Sequence, residues 1–382
     1  MKELNFGIQI IAGEGALGRL KDVVGKTVLI ITDHSMMKIG TVKKVMDNLS
    51  NCSTAVFDDV IPDPPLEVVK AGVKALDKSG ADTIIAVGGG SVIDTAKAIR
   101  MVTAHAMKCS ADAWPLIAIP TTSGTGSEVT DYSVITDAEK ALKYPLKNQE
   151  LRATMAILDP ELTRSVPPVV TADTGMDALT HALEAYISAT SNDFSDALCE
   201  KAISYLFRYL PIAFKDGGNM EAREKVHIAA CMAGIAFNEA GLGVNHGMAH
   251  AVGGKLHISH GRINAMLLPH VMRFNAELEH NQSGRPSVTA QKMQTLAKQL
   301  GLPANGVRVG AMNLIREIEK LNRTLKIPAT LVELGKDPEE VESLRDEIVA
   351  TALADATTQT NPRPVSLEQA NEILTQLKGK SR

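Results

Sequence analysis

Asp177 and His181 stand four residues apart in Asp177-Ala178-Leu179-Thr180-His181, and His246 and His250 repeat that spacing further along the chain. Residues i and i+4 share one face of an α-helix, so each pair aims its donors in one direction. His257 and His260 follow, and five of the ten histidines fall between His246 and His270. A single histidine is more often packed or capping than ligating; the joint pattern calls for a metal. One carboxylate with three neutral imidazoles makes a four-donor N/O site that suits Fe(II) or Zn(II), and affinity alone favours zinc. It is not the H-E-x-x-H of zinc proteases, because no Glu follows His181 or His246. If Asp177, His181 and His246 bind the metal, His250 either ligates too or sits beside the substrate as a proton carrier. Spacing leaves both open.

A second kind of chemistry is offered by Gly88-Gly89-Gly90-Ser91-Val92-Ile93-Asp94, which follows an apolar run and opens a helical one. Glycines let a phosphate approach backbone N–H groups, and a helix N-terminus favours the anion. Ser91 and Asp94 have the spacing of a capping box. The plainer reading is a tight strand-to-helix turn. Pro120-Thr121-Thr122-Ser123-Gly124-Thr125-Gly126-Ser127-Glu128 is another small, hydroxyl-rich loop after an apolar run. Two such loops at one end of a sheet form the crevice that takes ligands in open α/β folds. Asp33, at the end of what reads as the first strand, is placed to accept hydrogen bonds from a ribose and to repel a 2′-phosphate, favouring NAD over NADP. Its alternative role is a helix N-cap or turn residue.

These residues need elements to position them. Lys26–Thr32, Thr83–Val87, Leu116–Ile119 and Met155–Leu158 read as buried strands, with helical patterns at Thr41–Leu49 and Leu66–Lys78 between the first two. Such alternation predicts a parallel, Rossmann-like sheet covered by helices. After Pro167-Pro168 the pattern is helical: Asp173–Ile187, Asp193–Tyr209, Ala222–Glu239, His246–Ala251, Val288–Leu300, Val307–Leu321, Pro338–Ala354 and Leu367–Leu377. The expected organisation is an α/β nucleotide-binding domain over 1–165 and an all-α, metal-binding domain over 166–382.

Composition bounds the function. With 382 residues, 45% hydrophobic content and a net charge of −4, the chain has enough length and apolar content for two cores and no basic excess to mark a nucleic-acid binder. No run of 18 apolar residues lacks polar breaks, and residues 1–5 lack the apolar segment of a signal peptide, so no membrane partner is expected. Four scattered cysteines without C-x-x-C fit a reducing cytoplasm.

Six segments together resemble the iron-containing (group III) alcohol dehydrogenases: Gly88–Asp94, Pro120–Glu128, Ile157–Pro160, Gly175–Glu184, Gly241–His250 and His260-Gly261. The resemblance implies the architecture shared with dehydroquinate synthase. It implies Asp177, His181, His246 and His260 as iron ligands, with zinc the alternative, and His250 as a non-ligating proton-relay group. It also implies Gly89, Gly90 and Ser91 at the pyrophosphate, Thr121 and Thr122 lining the nucleotide cleft, Lys143 at the nicotinamide ribose and Asp33 as the selector for NAD. Within the family, Lys143–Leu146, Ser165–Pro168, Asp193–Leu198 and Thr360–Pro364 are similar to the 1-propanol dehydrogenases of bacterial propanediol-utilising microcompartments. Asp63 stands where the family often has Asn, and Thr357 where relatives often carry Cys. The first bears on a cofactor contact, the second on the substrate pocket wall.

The implied reaction is reversible, NAD(H)-dependent reduction of a small C2–C4 aldehyde such as propanal. The implied form is a homodimer or larger homo-oligomer, in the cytoplasm or in a microcompartment with shell or enzyme partners. The rival readings are a lactaldehyde, 1,2-propanediol or other polyol dehydrogenase, and a dehydroquinate-synthase-like lyase. The lyase needs a basic pocket, but Gly241–His257 has Lys255 as its only Lys or Arg. A non-enzymatic binding or shell-associated protein is disfavoured by the intact ligand candidates and nucleotide loops.

Overall fold

The computed structural model describes residues 6–137, 142–278 and 285–379, with the backbone alone at 142 and 143. They gather into two compact units, Met1–Val166 with Gly218–Asn238, and Pro167–Gly217 with Glu239–Arg382.

The first unit holds strands β1 (Gln9–Ala12), β2 (Thr27–Ile31), β3 (Ser53–Phe57), β4 (Thr83–Gly88), β5 (Leu116–Pro120), β6 (Tyr132–Asp137), β7 (Leu142–Lys147) and β8 (Met155–Leu158). Its helices are α1 (His34–Lys38), α2 (Thr41–Asp47), α3 (Leu66–Ser79) and α4 (Gly90–Met107). Six strands form one sheet in the order β1-β8-β5-β4-β2-β3, all parallel; β6 and β7 pair antiparallel beside it in sequence as a separate ribbon. Both faces of the sheet are covered, so its central strands are continuous apolar runs. Leu29, Ile31, Ile84, Ala86 and Leu116 pack with Ile93 and Ile99 of α4. On the other face Val28, Ile30, Ile85, Val87 and Ile117 pack with Leu20, Val42 and Val45.

The chain leaves β2 toward β3 on one side and leaves β4 toward β5 on the other, while β2 and β4 are neighbours. Their carboxyl ends are therefore a topological switch point, the place where open α/β sheets take ligands. Asp33 follows β2, and the glycine turn follows β4. The four strands expected from sequence are all present; the β6–β7 ribbon went unpredicted, and so did β1 and β3 of the main sheet. Both lie at sheet edges, and the exposed positions they contain break the apolar run. Asp33 thus ends the second strand, not the first.

The second unit is helical: α5 (Pro168–Ile187), α6 (Asp193–Lys215), then α8 (Val244–Leu256), α9 (His260–Asn275), α10 (Val288–Gln299), α11 (Val307–Thr324), α12 (Pro338–Ser343), α13 (Arg345–Ala354) and α14 (Leu367–Lys378). Helix α7 (Met220–Ala240) comes between α6 and α8 in sequence, but residues 218–238 cluster with the first unit. This differs from a single division at residue 165. The reason is packing that helical periodicity cannot display. Cys231 sits in a small core with Val129, Ala156 and Leu158, and Gly234 lies so close to Gly126 that a Cβ on Gly126 would be 2.5 Å from the Gly234 Cα. Helix α9 also went unpredicted, and Pro338–Ala354 is two helices rather than one. Among the described residues, no single helix is long and apolar enough to cross a membrane.

Candidate active site

In the second unit, α5 carries Asp177 and His181, α8 carries His246 and His250, and His260 is the first residue of α9. One donor atom each from Asp177, His181, His246 and His260 lies within 4.8 Å of the others. Asp177, His181 and His246 are buried, whereas the His260 side chain is 41% exposed, so the group is open on one side. The His181 and His246 rings stack with centroids 4.6 Å apart. His260 reaches the group because Gly261, the second residue of α9, lies against α5: a Cβ there would stand 2.1 Å from the Asp173 carbonyl oxygen, so only glycine permits this approach.

Among the described residues the buried Nε2 of His246 has no hydrogen-bond partner, and the nearby Asp177 Oδ1 is 3.8 Å away. A buried imidazole nitrogen facing a carboxylate and further imidazoles without a hydrogen bond fits a site for a cation. Metal bonds of about 2.0–2.2 Å draw donors to within roughly 4.4 Å, so small side-chain rotations close the set. Three nitrogens, one carboxylate and no thiolate suit Fe(II) or Zn(II). The ionisation of these groups reflects the same crowding. Burial pushes the Asp177 carboxyl up, but His181, His260 and His246 together outweigh it and hold it far below the usual range.

His250 stands beside this group, its ring stacked on His260 at 5.2 Å. Its Nδ1 donates to Asp355 Oδ2 at 2.8 Å. Asp355 in turn accepts from Thr357 through the backbone N–H at 2.8 Å and the hydroxyl at 2.7 Å, both at Oδ1. Burial raises the Asp355 carboxyl, but the His250 and Thr357 donors outweigh it and keep it ionised well below its ordinary range. Thr357, expected to line a pocket wall, thus supports the carboxylate that holds His250.

Sequence reasoning gave no role to three further residues. Glu184 Oε2 lies 2.5 Å from His246 Nδ1. Asn264 Nδ2 donates to Asp177 Oδ1 at 2.9 Å and lies 3.1 Å from His260 Nε2. Asn245 Nδ2 donates to Asn264 Oδ1 at 2.9 Å. The signal was present for two of them: Glu184 continues the Asp177–His181 face of α5, and Asn264 lies one turn beyond His260.

In the first unit, the glycine turn and the hydroxyl-rich loop touch. The Thr121 N–H donates to the Gly88 carbonyl at 3.0 Å, and a Cβ on Gly90 would stand 2.8 Å from Thr125 Cγ2. Thr122 Oγ1 lies 3.3 Å from the corresponding position on Gly89, and Thr121 Oγ1 is buried with no hydrogen-bond partner among the described residues. The N-cap of α4 is Gly89 and no side chain caps it. Ser91 is therefore inside the helix, which corrects the capping-box expectation. Asp94 instead accepts from the Ser127 hydroxyl and, at 3.0 Å, from the Val134 N–H. An uncapped helix start behind a turn without side chains fits an incoming phosphate. Asp33 is the N-cap of α1, accepting from the Met36 N–H through Oδ1 at 3.0 Å, so its alternative role is the one seen; Oδ2 carries no hydrogen bond among the described residues. Asp63 has a left-handed backbone, φ 51°, a conformation that Asn and Asp adopt more readily than most residues. Lys143 lies on β7 opposite Thr136, and its side chain is outside the described residues.

Both halves of the chain match known families. The family model described as iron-containing alcohol dehydrogenase matches residues 8–160, and that of the Fe-containing alcohol dehydrogenase family, C-terminal, matches residues 171–377. The chain is 42% identical to 1-propanol dehydrogenase PduQ of Citrobacter freundii over 381 residues, covering 99% of this chain and 100% of that one. It is 38% identical to an NADPH-dependent butanol dehydrogenase of Clostridium saccharobutylicum, covering 95% of each. The structure of the iron-containing alcohol dehydrogenase of Thermococcus thioreducens superposes with a TM-score of 0.88 at 34% identity, covering 97% of this chain and 98% of that one. With both family models matched along nearly its whole length and relatives of this similarity, the chain belongs to the iron-containing alcohol dehydrogenase family and is an oxidoreductase of that kind.

Proposed function

We propose that this alcohol dehydrogenase reduces a small C2–C4 aldehyde, propanal among them, to the primary alcohol with NADH, and runs the reverse reaction when alcohol and NAD are supplied. The balance is aldehyde, NADH and one proton giving alcohol and NAD. The observation that carries the reading is the convergence of Asp177, His181, His246 and His260 beside the Asp355-bound His250. When bound, Fe(II) supplies Lewis-acid polarisation of a carbonyl oxygen, and the nicotinamide supplies the hydride.

The chain's own residues do the rest. Asp177, His181, His246 and His260 hold the metal. Asp355 can only accept, so it keeps the His250 proton on Nδ1 and leaves Nε2 to exchange a proton with the alcohol oxygen or solvent. Gly89, Gly90 and Ser91 present backbone N–H groups to the pyrophosphate, with Thr121 and Thr122 beside them. Asp33 turns its unused carboxylate oxygen to the adenosine ribose, where a 2′-phosphate would be repelled. Lys143 reaches the nicotinamide ribose. The similarity to 1-propanol dehydrogenase PduQ supports the substrate class. The same reading takes the enzyme as a homo-oligomer in the cytoplasm or in a propanediol-utilisation microcompartment.

The test is anaerobic purification, reconstitution with Fe(II) or Zn(II), and NADH oxidation against ethanal, propanal, butanal and lactaldehyde. We expect propanal or a neighbour to lead, and iron to give the higher rate and to lose it in air. Zn(II) has no redox chemistry, so full activity after aerobic storage with zinc and negligible iron overturns the iron assignment. Preference for lactaldehyde overturns the substrate reading.

A further inference from the structure

Glu184 lies on the same face of α5 as Asp177 and His181, and it is fully enclosed, at 1% exposure. Three donors from the first turn of α8 converge on its carboxylate. The Asn245 N–H donates to Oε1 at 2.8 Å, the His246 N–H to Oε2 at 3.3 Å, and His246 Nδ1 to Oε2. Gly243 closes the cradle: a Cβ there would stand 2.7 Å from Oε1. Among the described residues no lysine or arginine pairs with Glu184, and its ion-pair partner is His246.

A buried carboxylate without a fixed cation is costly unless something compensates it. An ionised carboxylate only accepts hydrogen bonds, and a neutral imidazole has one N–H. With Glu184 at Nδ1, a neutral His246 keeps its one proton there and leaves its lone pair on Nε2. That is the buried atom with no hydrogen-bond partner, on the side of Asp177. Asp177 and Glu184 place two carboxylates on either side of the His246 ring, a pair that one divalent cation on the Nε2 side would balance.

We infer that Glu184 is a positioning residue for the metal: it fixes His246 in the tautomer that offers Nε2 and supplies the second charge that makes the site select a divalent ion. This rests on the metal reading of Asp177, His181, His246 and His260. Carboxylates placed behind metal-binding histidines typically contribute 10–100-fold to affinity.

Glu184→Gln alters both features, and Glu184→Asp restores the carboxylate at a shorter reach. E184Q keeps the size but loses the charge, and its single amide oxygen cannot serve all three donors: an amide N–H must face either the Asn245 N–H or the His246 N–H and Nδ1. The measurement is Zn(II) affinity of the metal-free full chain, by competition with a chromophoric chelator, alongside the thermal midpoint of the metal-free protein. We expect E184Q to bind Zn(II) about 10–100-fold more weakly than wild type, and Glu184→Asp, which keeps the charge, to recover part of that loss. If E184Q does not fold, nitrogen NMR of the ¹⁵N-histidine-labelled, Zn(II)-loaded wild type reads the same point, and the His246 proton is expected on Nδ1. Zn(II) affinity of folded E184Q within about threefold of wild type, or a His246 proton on Nε2, overturns the inference. A wild-type chain that takes up no Zn(II) at all overturns the metal reading itself.

Discussion

His250 Nδ1 and Asp355 Oδ2 are 2.8 Å apart, joining helix α8 to the turn after α13 beside the cluster of candidate ligands. A histidine held this way has one free nitrogen and a fixed ring. His250→Ala is expected to keep the metal and lose turnover by ~10²–10⁴-fold, the usual range for a general acid–base group. Asp355→Asn should lower kcat by at least ~10-fold with metal content unchanged, since the ring loses its fixed tautomer. Metal analysis and kcat on the same samples check both. Loss of metal from His250→Ala would make His250 a ligand.

Asp33 uses one carboxylate oxygen to cap α1 and has the other available. Asp33→Gly removes the charge while costing only about a few tenths of a kcal/mol in capping, because glycine is itself a tolerated N-cap. The variant should therefore fold normally and gain NADPH relative to NADH in kcat/KM. An unchanged ratio would remove Asp33 from cofactor selection.

Gly90 opens α4 against the second loop. In Gly90→Ala the new methyl would stand 2.8 Å from Thr125 Cγ2 and 3.0 Å from its Oγ1, so the Thr125 side chain or its loop must give way. NADH affinity, followed by cofactor fluorescence, should fall by about tenfold or more with metal content unaffected, in keeping with the cost of small misplacements in a positioned site. Wild-type affinity in this variant would exclude the turn as the pyrophosphate site.

These residues were legible to different degrees. Asp177, His181 and His246 announced themselves because helical i, i+4 spacing already fixes a face. His260 did not follow from spacing, since its position depends on α9 starting against the Asp173 carbonyl at Gly261. The buried central strands were readable as apolar runs, whereas β1 and β3, with exposed positions at the sheet edges, were not. The Ser91–Asp94 spacing imitated a capping box, yet Asp94 bonds Ser127 and Val134, partners more than 30 residues away that no local rule contains. The packing of residues 218–238 with the sheet-bearing unit is of the same kind: periodicity marks a helix but not the core it serves.

The first unit also carries a pH signature. His227 is buried with its Nδ1 2.9 Å from the Ser123 hydroxyl, and burial pushes its imidazole down from 6.5 to about 4. Between those values the unfolded chain binds the proton and the folded chain does not. Its contribution is therefore complete above about pH 6.5 and drains away as pH falls to about 4, by up to ~3 kcal/mol. Glu128 has the opposite sign: burial raises it from 4.5 to about 7, so its contribution is lost as pH rises through that range. His227→Asn isolates the first effect. In urea unfolding followed by Trp114, the single tryptophan and a residue of the first unit, the stability of wild type minus variant should grow by ~3 kcal/mol from pH 4 to 6.5. A difference that stays constant with pH would contradict the buried, neutral assignment.

The proposed reaction requires a metal held by Asp177, His181, His246 and His260. The direct measurement is iron and zinc content together with NADH-dependent propanal reduction, on the same anaerobic preparations of wild type and His246→Ala after Fe(II) reconstitution. The account predicts one metal per chain and turnover in wild type, and loss of both in the folded variant. A His246→Ala protein that keeps its metal and its rate, or a metal-stripped wild type that reduces propanal as fast as the reconstituted enzyme, would contradict it.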